Sequence, residues 1–108
     1  MVTPYWFPVR GGITTFVAEL SSTLRSMGHD VRVFAREGGA TGATVLEGGK
    51  RAFARRAVAE LEAFRPDAVH AHGHWYALLA GIRYRRHHPD ARVVFTVHTE
   101  LAPRSSLR

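Results

Sequence analysis

The 108 residues contain no cysteine, which excludes a disulfide framework, a thiol nucleophile and any cysteine-based zinc site. No apolar run reaches the roughly 18 residues a membrane-spanning helix needs. A secretory leader is not expected either, because Met1 is followed at once by strand and loop residues. A cytoplasmic location fits these absences. Acidic residues are scarce: 9 Asp and Glu stand against 15 Lys and Arg, a formal charge of +6. Such an excess favours anionic partners, such as nucleotide phosphates or phospholipid head groups. The arginines are spread along the whole chain, which is equally the pattern of a solvated basic surface, and nucleic acid is not expected as a partner. An apolar content of 45% and a charged content of 22% are ordinary for a folded globular chain, and this length supports one domain with a modest core.

The stretch that organises the chain is Tyr5-Trp6-Phe7-Pro8-Val9-Arg10-Gly11-Gly12. Met1-Val2-Thr3 ahead of it reads as the tail of a buried strand. Behind it, Ile13, Phe16, Val17, Leu20, Leu24 and Met27 recur at helical spacing and predict an apolar helix face, with Gly28 as the left-handed residue that closes it. Paired glycines at a strand-to-helix junction let the backbone come close to a ligand. The first N–H groups of the helix lack intrahelical partners and point there with the positive end of the dipole. That is how a protein holds a phosphate or another anion without a charged side chain. The plain alternative is a turn that only takes the chain around a corner.

Further along, Asp30-Val31-Arg32-Val33-Phe34-Ala35 alternates as a strand, with Val31, Val33 and Ala35 on one face. Residues 37–49 are rich in Gly, Ala and Thr and read as a mobile loop with room for a short edge strand around Val45-Leu46. A helix is predicted from Lys50 to Phe64, with Phe53, Ala57, Leu61 and Phe64 inward. Lys50, Arg51, Arg55 and Arg56 crowd its first half, where the dipole disfavours cations, which makes them candidates for contact with an acidic lipid surface. A solvated helix face is the commoner reason for such a run. Pro66 ends that helix, and residues 67–73 read as a strand. Trp75, Leu78, Leu79 and Ile82 mark a third helix ended by Pro89. Val93-Val94-Phe95-Thr96-Val97 then reads as a strand covered on both faces. Strands alternating with helices imply an α/β fold, a Rossmann-like three-layer domain with a mostly parallel sheet.

In such a sheet ligands sit off the carboxyl ends of the strands, which places Gly11-Gly12, the His70–His74 segment and His98-Thr99-Glu100 on one rim. His70, His72 and His74 invite a metal hypothesis. Gly73 breaks the alternation and no carboxylate lies close, so buried or hydrogen-bonded histidines are the expected reading and no metal is assigned. The glycines are adjacent rather than spaced as G-x-G-x-x-G, and no Walker-type lysine follows, so neither a dinucleotide nor a P-loop site is expected. His98 follows an apolar strand directly and should project into the cleft, able to donate a hydrogen bond to a hydroxyl or phosphate oxygen.

Taken together, Thr3 to Pro8, Arg10-Gly11-Gly12, Leu20 to Val33, Arg65 to Gly73 and Val94 to Thr99 resemble, in order and spacing, the opening of the family 4 retaining glycosyltransferases. The resemblance spans nearly the whole chain except residues 37–52. It implies half of a GT-B architecture, in which residues 1–108 are the N-terminal, acceptor-side domain, clipped at its first strand and lacking the C-terminal domain that holds most nucleotide contacts. It further implies a hexosyltransferase that uses a nucleotide sugar as substrate, needs no cofactor, and passes the sugar to a sugar, lipid or small-molecule acceptor with retention. Gly11 and Gly12 would line the cleft by the donor's diphosphate. His98 would contact the transferring sugar as the catalytic candidate, with Thr99 beside it, and His72 would join the substrate-binding set or serve the structure. The isolated chain is expected to be inactive. The rival reading is a non-catalytic anion-binding or membrane-surface module that uses the basic helix, peripheral to the inner face of the membrane.

Overall fold

The computed structural model describes residues 1–39 and 41–98. Its element order is β1 (Val2–Tyr5), α1 (Gly12–Ser26), β2 (Phe34–Glu37), β3 (Thr44–Val45), α2 (Lys50–Phe64), β4 (Ala68–His72), α3 (Trp75–His87) and β5 (Arg92–Thr96). The five strands form one sheet in the order β3-β2-β1-β4-β5, and every pairing is parallel. β1 lies at the centre. From it the chain first moves outward to β2 and β3, then crosses to the other side for β4 and β5. The strand order therefore reverses between β1 and β4, the point at which two neighbouring connections leave a crevice open above the sheet.

Strand alternation sorts the side chains into two cores. Val2, Phe34, Val69 and Ala71 join Phe53, Ala57 and Leu61 of α2 and Tyr76, Ala77, Ala80 and Tyr84 of α3. Val33 and Ala35 point the other way and join Trp6 and Val17, beneath α1. The result is the three-layer α/β domain that the alternation of patterns predicts. Tyr76 meets Phe53 edge to face with ring centroids 5.5 Å apart, so the first turns of α2 and α3 lie side by side. At the far end of α3 the Tyr84 hydroxyl donates to the Pro66 carbonyl at 3.0 Å.

Several expectations change: on α1 the buried residues are Thr14, Val17 and Ser21, while Phe16 and Met27 of the expected apolar face are exposed. The second strand starts at Phe34 rather than near Asp30, because pairing with β1 begins where the Phe34 N–H donates to Met1 O at 2.8 Å. α3 buries Tyr76, Ala77, Ala80, Gly81 and Tyr84, while Trp75 and Ile82 are 51% and 40% exposed. The reason is close approach: a Cβ on Gly81 would meet Val93 Cγ1 at 3.0 Å, so the small residues face the sheet. β5 is covered on one face only. Val93 and Phe95 pack on the α2–α3 core, whereas Val94 is 50% exposed, and Val97 just beyond the strand 64%.

The Gly-rich segment after β2 makes specific contacts. Gly39 N–H donates to Phe7 O at 2.7 Å, Leu46 N–H to Ala35 O at 2.7 Å, and the Trp6 indole N–H to Thr41 O at 2.8 Å. Gly38 has a φ of +141°, and a Cβ there would lie 2.7 Å from Trp6 O. The glycines let this segment wrap the buried Trp6 and so fix the β1–α1 loop.

Candidate functional site

At the crevice above β1 and β4, an open cleft of about 760 Å³ is lined by Tyr5, Val9, Arg10, Gly11, Gly12, Ile13, Phe16, His74 and His98. The loop after β1 supplies one wall. Trp6 anchors it from below, and its own turn is closed by Val9 N–H donating to Trp6 O at 2.9 Å. Gly11 is the N-cap of α1 and brings no side-chain cap, the first turn has no acidic residue, and the first helical hydrogen bond runs from Thr15 N–H to Gly11 O at 3.1 Å. The N–H groups of Gly12, Ile13 and Thr14 therefore have no intrahelical acceptor. A Cβ added at Gly11 or Gly12 would meet no heavy atom of the described residues within 4 Å. Internal packing does not require glycine at either position, so what the pair provides is open space beside an electropositive helix end.

Gly73 makes the opposite wall possible. Its φ of +78° turns the chain out of β4, and a Cβ there would lie 2.8 Å from Ile13 Cδ1. His74 thereby becomes the N-cap of α3, and its ring stacks on Tyr76 at 5.3 Å. This separates His74 from the other two histidines of its run. His70 and His72 stay on the α1-side face of β4 and stack at 4.0 Å. His70 Nε2 lies 2.6 Å from Thr96 Oγ1, and His72 Nδ1 lies 3.0 Å from His98 Nε2. Among the described residues no group of three or more His, Asp or Glu has metal-holding geometry.

His98 follows β5 and faces the same cleft as Gly11 and Gly12, with Phe16 of α1 edge-on to its ring at 5.0 Å. His72 is fully buried beneath Phe16 and reaches the cleft only through His98. Burial lowers the proton affinity of both rings: His72 falls to about 3, and His98 is below the usual 6.5, in each case first because the charged ring would lose water. Thr99 and Glu100 lie outside the described residues. Lys50, Arg51, Arg55 and Arg56 are all exposed on α2, and Arg56 also donates to Glu47 O at 2.7 Å.

Sequence reasoning placed His74 on the rim with its segment but did not single out Tyr5 or Phe16 as cleft walls. Phe16 sits at a helical core position in the pattern and is 42% exposed in the fold. The break in alternation expected at Gly73 is where the strand ends, and His74 leaves it as the N-cap of α3.

No curated protein and no solved structure matches the chain. The family model described as Glycosyltransferase Family 4 matches residues 10–108, from the arginine ahead of the paired glycines through the histidine cluster and beyond. It thus takes in both walls of the cleft except for Tyr5 and Val9. No described helix is long and apolar enough to cross a membrane. A Rossmann-like domain with its cleft at the reversal of strand order, matched over nearly all its length by that model, belongs to glycosyltransferase family 4.

Proposed function

We propose that this chain is the acceptor-side, N-terminal half of a GT-B enzyme that transfers a hexose from a nucleotide sugar with retention. The observation that carries the reading is the meeting of Gly11, Gly12 and His98 around one cleft off the carboxyl ends of the strands. Transfer releases a nucleoside diphosphate and makes the sugar carbon cation-like, so the site must stabilise negative charge on the leaving group. The free N–H groups at the start of α1, with Arg10 beside them, suit a diphosphate, and no metal is needed for that charge. His98 stands across the cleft, where it can contact the sugar. The nucleotide itself would be held by a second domain facing this rim, and such a domain is required for turnover.

The test is transfer from a nucleotide-sugar donor by a complete two-domain protein that contains these residues. His98→Ala should cut kcat at least a hundredfold, as removal of a reacting-centre contact does, with the unfolding midpoint little changed. Equal loss of activity and stability would make His98 structural and defeat the assignment.

A second reading has one observation in its favour. Trp75, at the start of α3, is exposed, and Phe53 and Tyr76 hold that helix start against the first turns of α2, which carry exposed cations. An aromatic side chain beside clustered cations suits an anionic lipid surface. Peripheral contact with a membrane would also fit a lipid acceptor.

A further inference from the structure

His70, His72 and His98 form a row of imidazoles under the cleft, and the middle one is fully buried. His72 must satisfy two ring nitrogens inside the protein. Nδ1 lies 3.0 Å from His98 Nε2, and Nε2 lies 3.2 Å from Met1 Sδ. A thioether sulfur can accept a hydrogen bond weakly but has no proton to give. If Nε2 were unprotonated, its lone pair would be buried against the sulfur's own, an acceptor without a donor. A neutral His72 therefore carries its one proton on Nε2, and Nδ1 is bare. The proton between the two rings must then belong to His98 Nε2.

We propose that His72 is a positioning residue that fixes His98 as the Nε2–H tautomer, leaving His98 Nδ1, an acceptor, as the only ring nitrogen open to a ligand. Phe16 lies edge-on to both rings, at 5.9 Å from His72 and 5.0 Å from His98, and restrains His98 from turning over. The low proton affinity of both histidines keeps them neutral near pH 7. A neutral His98 held this way accepts a hydrogen bond from a hydroxyl and repels a phosphate oxygen. It divides the cleft by chemistry: the anion belongs at the start of α1, and a hydroxyl donor belongs at His98. That the hydroxyl is a sugar's rests on the proposed function, whereas the tautomer does not.

Ring-directed ¹H–¹⁵N correlation spectra of the ¹⁵N-labelled chain, in solution or as a sediment under magic-angle spinning, read the tautomers directly. The expected spectrum has both His72 and His98 protonated on Nε2, with a ¹⁵N–¹⁵N coupling across the bond from His98 Nε2 to His72 Nδ1. A proton on Nδ1 of either ring would overturn the proposal. His72→Asn places a side-chain oxygen near the position of Nδ1 and should retain a slowly exchanging His98 Nε2–H. His72→Leu should lose that slow exchange, and its retention would also overturn the proposal. Should the leucine variant not fold, the wild-type and asparagine spectra still decide. In the complete enzyme, kcat should fall at least tenfold for His72→Leu and recover to within threefold for His72→Asn. Because the spectra need no substrate, correct tautomers in a protein that transfers no sugar would defeat the proposed function alone. Transfer by a protein with His98 protonated on Nδ1 would defeat this inference alone.

Discussion

The side chains buried against β1 and β4 include polar groups with definite energetic consequences. His72 is held neutral in the fold, with its pKa at about 3 instead of 6.5. In the unfolded chain the same ring takes a proton as pH falls below about 6.5, so the unfolded state binds more protons there. Its contribution to stability is therefore complete above 6.5 and is lost progressively as pH falls towards 3. His70 and His98 are shifted in the same direction by burial and add to the slope. Urea midpoints measured from neutral to acid pH should fall steadily over that window, and His72→Phe should flatten the dependence even if it lowers the plateau. A different penalty sits on α1. The Thr14 and Ser21 hydroxyls are buried with no hydrogen-bond partner among the described residues. Ser21→Ala removes an unpaired hydroxyl and adds a better helix former, and should stabilise the fold by about 1 kcal/mol. A destabilised Ser21→Ala variant in thermal unfolding would mean that the hydroxyl has a partner.

Helices α2 and α3 show how one element's sequence can misstate its own buried face. The periodicity of α2 named Phe53, Ala57, Leu61 and Phe64; the first three are buried and Phe64 is half-buried against the core. In α3 the large residues Trp75 and Ile82 lie outward while Ala77, Ala80 and Gly81 face the sheet. Leu61→Ala should cost about 2–5 kcal/mol, as truncation in a packed core does. Ile82→Ala should stay within about 0.5 kcal/mol, the range of surface changes. Comparable losses at the two positions would refute the orientation of α3. The end of α2 is also suboptimal. Arg65 caps it in the left-handed conformation at φ 59°, where a side chain is strained and glycine is not. Arg65→Gly is expected to raise stability by about 0.5–1 kcal/mol in chemical denaturation, because Pro66 already forbids the helix to continue.

For the molecule as a whole, the two faces of the sheet present different exposed groups. The exposed cations of α2 lie on one side of the sheet, on the same layer as the exposed Trp75 of α3. Replacing Lys50, Arg51, Arg55 and Arg56 by Gln should weaken binding to anionic vesicles by about 1 kcal/mol per residue, with little effect at high salt. Vesicle binding that ignores both changes would leave the four as a solvated face. On the other side of the sheet Val94 stands in the open beside His70, in a groove of about 520 Å³ that reaches Leu24 and Phe64. Among the described residues β5 has no strand on its outer edge. An apolar edge of this kind promotes association between chains. Val94→Lys should therefore reduce concentration-dependent light scattering.

The sequence by itself determined the class of fold, because alternation of strand and helix patterns is local and parallel strands separated by helices leave few arrangements. It determined α2 to the residue, since nothing but a stop at Pro66 and an apolar stripe was needed. It also placed Gly11, Gly12 and His98 on one rim, because the carboxyl end of a strand is fixed by chain direction. Tertiary structure decided what those residues can do. Only the register between β4 and β5, with His72 opposite Thr96, brings His72 within reach of His98. Only the close approach of α3 to Val93 put Gly81 against the sheet and left Trp75 and Ile82 outward. And only the contacts of Gly38, Gly39, Thr41 and Gly42 with Trp6 and Phe7 gave a purpose to glycines that read as a loose loop. Contacts between residues distant in sequence depend on the relative placement of whole elements, and no local pattern encodes that.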